Sequence, residues 1–332
     1  MDDSQRVRLL ITGYRVSQAV HAAAVLGLSD FLAREPLSVV DLAAAAGCDT
    51  RSLHRLLRAL TSVEMYQELP DGRFTNTPLS DQLRSDVEGN ARGLAASVGR
   101  PYTWQAWSAL VDNVRTGENA FSSVHGQTNW EFLAQHPEES AIFDAAMTSN
   151  SDHAAASILQ AYDFGRFDSI VDVAGGRGAL LAAILGRHPS LRGVLFDQPH
   201  VVSGAAELLQ EAGVHDRCRI VGGDMFDEVP AGADAYVMKA ILHDWEDPQA
   251  RAILHTCRRA MTDTATLLVV ERLLDAADRI AAFADLTMMV GPGGLERTTA
   301  EYADLFTAAG LRLTRTVATT SEWVVIEAVA AG

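Results

Sequence analysis

Histidine is the side chain suited to move a proton near neutral pH, and His243, in the run LHDW of this 332-residue chain, falls just past the apolar run 235–238. An imidazole with an ordinary pKa near ~6.5 can take up or release a proton at neutral pH. A second chemical signal is the run Asp172-Val-Ala-Gly-Gly-Arg-Gly178. Its glycines let the backbone approach a ligand closely, and the helix start behind them offers free N–H groups. Asp197 follows roughly 20 residues on, a spacing that suits a carboxylate accepting hydrogen bonds from ribose hydroxyls. The third signal is Lys239: among the 27 basic residues it is the sole lysine.

These residues need elements to hold them at one edge. From 168 onward the texture is alternating strand and helix. Apolar runs at 169–174, 193–196, 218–221, 235–238 and 266–270 read as strands, with helices such as 179–187 and 248–260 between them. That alternation implies a parallel, doubly wound Rossmann-like sheet with right-handed crossovers. Runs at 311–316 and 323–328 are joined with no helix, so the sheet is expected to end with an antiparallel strand. Ligands of such sheets bind beyond the strands' carboxyl ends, where the strand order reverses. His243 and the glycine loop both fall at that edge.

The glycine loop alone fits a dinucleotide as well as S-adenosylmethionine. The full GxGxxG is absent, however, because the third position is Leu181. A pyrophosphate needs close backbone approach there and a sulfonium amino acid does not.

The first part of the chain reads differently. Residues 5–34 carry apolar residues at helical spacing, and 37–69 read as short helices with a turn at Gly47-Cys48-Asp49. Pro70-Asp71-Gly72 is a turn between two short extended pieces, which completes a winged-helix pattern. Residues 1–90 hold 9 arginines against 12 acids, a net −3, and the whole chain is at −16. Arg51, Arg55 and Arg58 make one basic helical face, but no wider basic field surrounds it, so nucleic acid is not the expected partner. The block 95–165 is helical and aromatic-rich. Expected boundaries are therefore 1–95 for a winged-helix domain, 96–165 for a helical linker that walls the acceptor pocket, and 166–332 for the catalytic domain. No apolar run approaches the ~18–20 residues of a bilayer span, and the start MDDSQRVRLL lacks a signal-peptide layout, so a cytoplasmic protein is expected. Cys48, Cys218 and Cys257 show no metal or disulfide spacing.

The segments VDVAGGRG (171–178), LFDQPHV (195–201), GGDMF (222–226), MKAILHDWEDPQA (238–250), VVERLL (269–274) and GPGGLERT (291–298) follow one another at compatible spacing. Together they resemble the plant caffeate and flavonoid O-methyltransferases and the bacterial relatives that tailor aromatic natural products. The resemblance implies an S-adenosylmethionine-dependent, metal-free transfer of a methyl group to a hydroxyl of a small aromatic molecule. It also implies a homodimer formed through the N-terminal domain, which closes part of the partner's acceptor pocket. Residue by residue, it assigns the methionine end of the cofactor to the backbone of Ala174 and Gly176, and the ribose to Asp197. Asp224 and Met225 bracket the adenine, and Lys239 falls on a cofactor-contacting lysine. His243 falls on the catalytic base, flanked by Glu271 and Glu296. Asp244 stands next to it, as an acceptor-side group or as a cap of the local turn. Phe143 and Met147, at i and i+4, and Met288 and Met289 fall on acceptor-pocket walls, although Met and Phe at helical spacing also serve as plain core.

Departures from the plant pattern are Ala174 for a glycine, Arg177 for a small residue, Ala240 for a tryptophan, Leu295 for a lysine, and a loop at Gly291 without its asparagine. The first two leave cofactor binding to the backbone, and the other three point to an acceptor different from the plant ones. Two other readings are a relative that keeps the cofactor but not the methylation, and a winged-helix regulator that senses a ligand. Retention of His243 opposes the first, and the acidic N-terminal domain opposes the second.

Overall fold

The computed structural model describes residues 2–87, 89–275 and 279–332, the side chain of His153 excepted. It divides into two compact units, Met1–Trp104 with Glu138–Asn150, and Gln105–Pro137 with Ser151–Gly332. Among the described residues no helix is long and apolar enough to cross a membrane.

In the first unit the amphipathic pattern at 50–61 produces a helix, Thr50–Thr61, that Asp49 starts by accepting from the Ser52 N–H at 2.8 Å. Leu53, Leu57 and Leu60 turn inward from it, each burial contributing about 1.5–3 kcal/mol. They meet Leu28, Leu32, Leu42, Tyr66 and Phe74. Three short strands form the wing: β1 Leu37–Ser38, β2 Tyr66–Glu68 and β3 Arg73–Asn76, in the order β1-β3-β2. Arg51, Arg55 and Arg58 stay on the exposed face. The stretch at 5–34 is not one helix. It breaks into Asp3–Ile11, Tyr14–Val25 and Leu28–Phe31, the last break made by Gly27 in the left-handed region at φ 66°. The helix Asp3–Ile11 buries none of its residues.

The second unit is built on seven strands: β4 Ser169–Val173, β5 Arg192–Asp197, β6 Cys218–Gly222, β7 Ala235–Lys239, β8 Thr266–Glu271, β9 Leu311–Ala318 and β10 Val324–Ala330. Their order is β6-β5-β4-β7-β8-β10-β9. β4 to β8 pair in parallel, while the last strand of the chain, β10, runs antiparallel between β8 and β9. Alternation along each strand fills a core on either face. Ala235, Val237, Leu268 and Val270 join one apolar cluster, and Tyr236, Met238, Leu267 and Val269 join the other. The chain leaves β4 toward β5 on one side and enters β7 on the other, so the strand order reverses between β4 and β7. The loops that follow these two strands flank the switch point, where open α/β sheets bind ligands.

Candidate active site

The loop after β4 is shaped by its backbone. Ala174, Gly176 and Gly178 all take positive φ, at 54°, 62° and 86°. Gly175 has no room for a side chain: a Cβ there would stand 2.5 Å from the Asp172 carboxyl. Asp197, ending β5, closes on the loop, one carboxylate oxygen accepting from Gly176 N–H at 2.8 Å and the other from Gln198 N–H at 2.6 Å. Past β6, Asp224 is exposed and accepts from Phe226 N–H at 2.9 Å, while Met225 packs half-buried against the sheet's core. Asp172, within β4, has a carboxyl oxygen that is buried with no hydrogen-bond partner. Burial, with Asp197 adding and Lys239 opposing, pushes that carboxyl up to about 7.

At the end of β7, Lys239 lies over the Trp323 ring at 4.4 Å, and Arg272 lies over the same ring at 4.1 Å. Burial pulls the Lys239 ammonium down to about 8 against the opposing pull of Glu271. Ala240 then takes a positive φ of 56° and turns the chain into the short helical turn Leu242–Asp244 that carries His243.

His243 is buried, and its Nδ1 faces two glutamates. Glu296 Oε1 is at 3.0 Å, a hydrogen bond, and Glu271 Oε2 at 3.3 Å. The two acids divide the work. Glu271 Oε1 accepts from the N–H groups of Ile241 and Leu242 at 3.0 and 2.9 Å, so it holds the backbone of the turn. Glu296 takes the ring. The Nε2 side meets Asp244 Oδ1 at 3.6 Å, beyond a hydrogen bond. Asp244 is therefore beside the imidazole, and burial raises its carboxyl to about 7 with His243 opposing. His243, Glu271 and Glu296 also present atoms of metal-ligand type within 4.8 Å of one another. A cation there would have to displace the Nδ1 proton and crowd Arg272, whose guanidinium is 3.8 Å from Glu296. The set is better satisfied as a hydrogen-bonded imidazole.

Met288 and Met289 close the helix Arg279–Val290 and are half-buried. Asn119 fixes that helix end, its amide donating to the carbonyls of Met289 and Gly291 at 3.0 and 3.2 Å. Phe143 and Met147 share a half-buried face of the helix Pro137–Ala161 within the first unit. The reading of the residues did not single out Asp172, Asn119, Arg272, Arg297 or Trp323. Only Asp172 left a signal, as a lone acid in an otherwise apolar strand.

The model of an O-methyltransferase domain matches residues 107–312, and that of an O-methyltransferase dimerisation domain matches 9–86. The chain belongs to the O-methyltransferase family. This O-methyltransferase is 41% identical to a phenazine O-methyltransferase, PhzM, of Lysobacter antibioticus over 321 residues, 96% of the chain and 94% of that protein. It is 38% identical to the mitomycin biosynthesis 6-O-methyltransferase of Streptomyces lavendulae, over 94% of the chain and 90% of that protein. Among solved structures, the O-methyltransferase NcsB1 from neocarzinostatin biosynthesis, in complex with S-adenosylmethionine and 2-hydroxy-5-methyl naphthoic acid, superposes with TM-score 0.80 at 33% identity, over 95% of this chain and 96% of that one. The methyl donor of this O-methyltransferase is S-adenosylmethionine. Its residues fit a cofactor with a cationic end: a buried carboxyl oxygen of Asp172 without a hydrogen-bond partner lies against Gly175 of the glycine loop.

Proposed function

We propose that this O-methyltransferase methylates a hydroxyl of a small aromatic natural-product precursor, with His243 as the general base. S-adenosylmethionine, when bound, supplies a methyl group on a sulfonium for in-line displacement. The chain's residues do the rest. Asp172 and the loop at Ala174–Gly176 receive the amino-acid end, Asp197 the ribose, Asp224 and Met225 the adenine, and Lys239 lies along the same edge. The observation that carries the reading is the Nδ1 hydrogen bond to Glu296 at 3.0 Å. It fixes the tautomer with Nδ1–H donating, which leaves the Nε2 lone pair to take the acceptor's proton. Nε2 would hold the acceptor's proton, leaving the deprotonated oxygen aligned toward the methyl group that the bound cofactor would supply.

The acceptor class follows from the relatives' names, a phenazine and a naphthoic acid among them. Met288 and Met289 are the side chains of the second unit proposed to lie along its ring, with Asp244 beside the hydroxyl. The dimerisation domain points to a homodimer. Hydroxyphenazines, hydroxynaphthoic acids and hydroxyquinones, incubated with labelled S-adenosylmethionine and read by mass spectrometry, test the acceptor: a labelled ether product is expected. For the base, His243→Ala is expected to lower turnover by about 10²–10⁴-fold with cofactor affinity near wild type. Near-normal turnover would remove the base assignment.

A further inference from the structure

Arg297 is fully buried. Its guanidinium spans the turn that carries the base, Nη1 donating to Leu242 O at 2.9 Å and Nη2 to Trp245 O at 2.7 Å. Nε and Nη2 also donate to Asp247 Oδ1, at 3.2 and 3.0 Å. The backbone of Arg297 is itself anchored, its carbonyl accepting from Leu274 N–H at 3.1 Å beyond the end of β8. One residue before it is Glu296, whose carboxylate takes the His243 ring. Gly294 completes the contact: a Cβ on it would lie 2.0 Å from the His243 carbonyl oxygen. The turn is thus gripped from two sides, its N–H groups by Glu271 and its carbonyls by Arg297.

We propose that Arg297 is a positioning residue of the methyl transfer, its guanidinium holding the carbonyls around His243 so that the imidazole stays in register with Glu296. A buried arginine is costly to desolvate, and well-packed apolar residues often replace such groups without loss of stability. Its only anionic hydrogen-bond partner among the described contacts, Asp247, is about half exposed, with 48% of its side chain accessible. Charge pairing alone therefore explains little of its placement. The planar fork does explain it, because it reaches two carbonyls three residues apart and a carboxylate at once. A lysine ammonium is a single point and cannot span them.

The inference rests on His243 being the base, and its test separates the two. Turnover is read as S-adenosylhomocysteine released with the best acceptor of the phenol panel. Arg297→Lys is expected to lower kcat about 10–100-fold with KM for S-adenosylmethionine within about twofold of wild type. In a His243→Ala background the same change is expected to cost less than about threefold further, because residues acting through one group are not additive. An equal loss in both backgrounds, or kcat within twofold of wild type in Arg297→Lys, overturns the proposal. If Arg297→Lys does not fold, Asp247→Asn serves instead. Loosening the fork should lower kcat about threefold with the same non-additivity, and an unchanged kcat overturns the proposal. Near-normal turnover by His243→Ala alone would instead sink the base reading beneath it.

Discussion

Burial works against a charged imidazole at His243, yet the carboxylates of Glu271, Asp244 and Glu296 outweigh it and raise the ring to about 9. That value sits close to a phenol's ~10, so proton transfer from acceptor to base is nearly balanced, which suits general-base catalysis. The sign of the pH dependence follows. A base must be neutral to act, and a raised pKa keeps the ring protonated to higher pH. kcat/KM is therefore expected to climb from pH 6 through pH 8, with its acid limb well above the ordinary imidazole value near ~6.5. The charge of Glu271 is the largest single pull that raises the ring. Glu271→Gln keeps an oxygen for the Ile241 and Leu242 N–H groups but removes the charge, so the limb should move toward lower pH. A pH profile of kcat/KM for both proteins checks this, and an unmoved limb would show that another group titrates there.

The end of β4 sets the electrostatics of the cofactor loop. Asp172 keeps a raised pKa of about 7 against an ordinary 3.8. The folded chain thus holds a proton that the unfolded chain has released, and stability without cofactor falls as pH rises between those values. Asp172→Asn is expected to flatten that fall and to raise the melting temperature at pH 8 by several degrees, at about 2–4 °C per kcal/mol for a unit of this size. The same change should weaken S-adenosylmethionine binding about tenfold by calorimetry, because the acceptor of the amino group loses its charge. A variant no more stable at pH 8 would show that the carboxyl is already compensated. The elements themselves were legible. Continuous apolar runs revealed β4 to β8, and six ordered motifs marked His243, Glu271 and Glu296. Burial of particular arginines was not legible. In a chain where all but one basic residue is arginine, Arg297 looks like any solvated one. Its partners are carbonyls, which have no sequence signature, and Asn119 meets residues about 170 positions away. The break at Gly27 was missed because apolar spacing continues straight across it.

At the scale of the whole molecule, the helix Asp3–Ile11 is one apolar surface that its own unit leaves uncovered. Asp2 caps it, yet Leu9, Leu10 and Ile11 stand 58%, 77% and 67% exposed, a row of aliphatic side chains that a monomer would leave in water. The dimerisation domain begins at residue 9, within this helix. A second copy of the chain is the occupant to which the dimerisation domain points, with hydrophobic contact as the attraction that must outweigh repulsion between two chains of net charge −16. Burying two such side chains is worth about 3–6 kcal/mol, or about 10²–10⁴ in a dissociation constant. Leu10→Asp with Ile11→Asp should therefore turn the homodimer into a monomer by light scattering, with the fold kept, since neither side chain is buried within its own unit. If the partner also closes the acceptor pocket, the monomer's KM for acceptor should rise while its affinity for S-adenosylmethionine holds. A wild-type chain that scatters as a monomer would leave those aliphatic residues without a partner and overturn the homodimer.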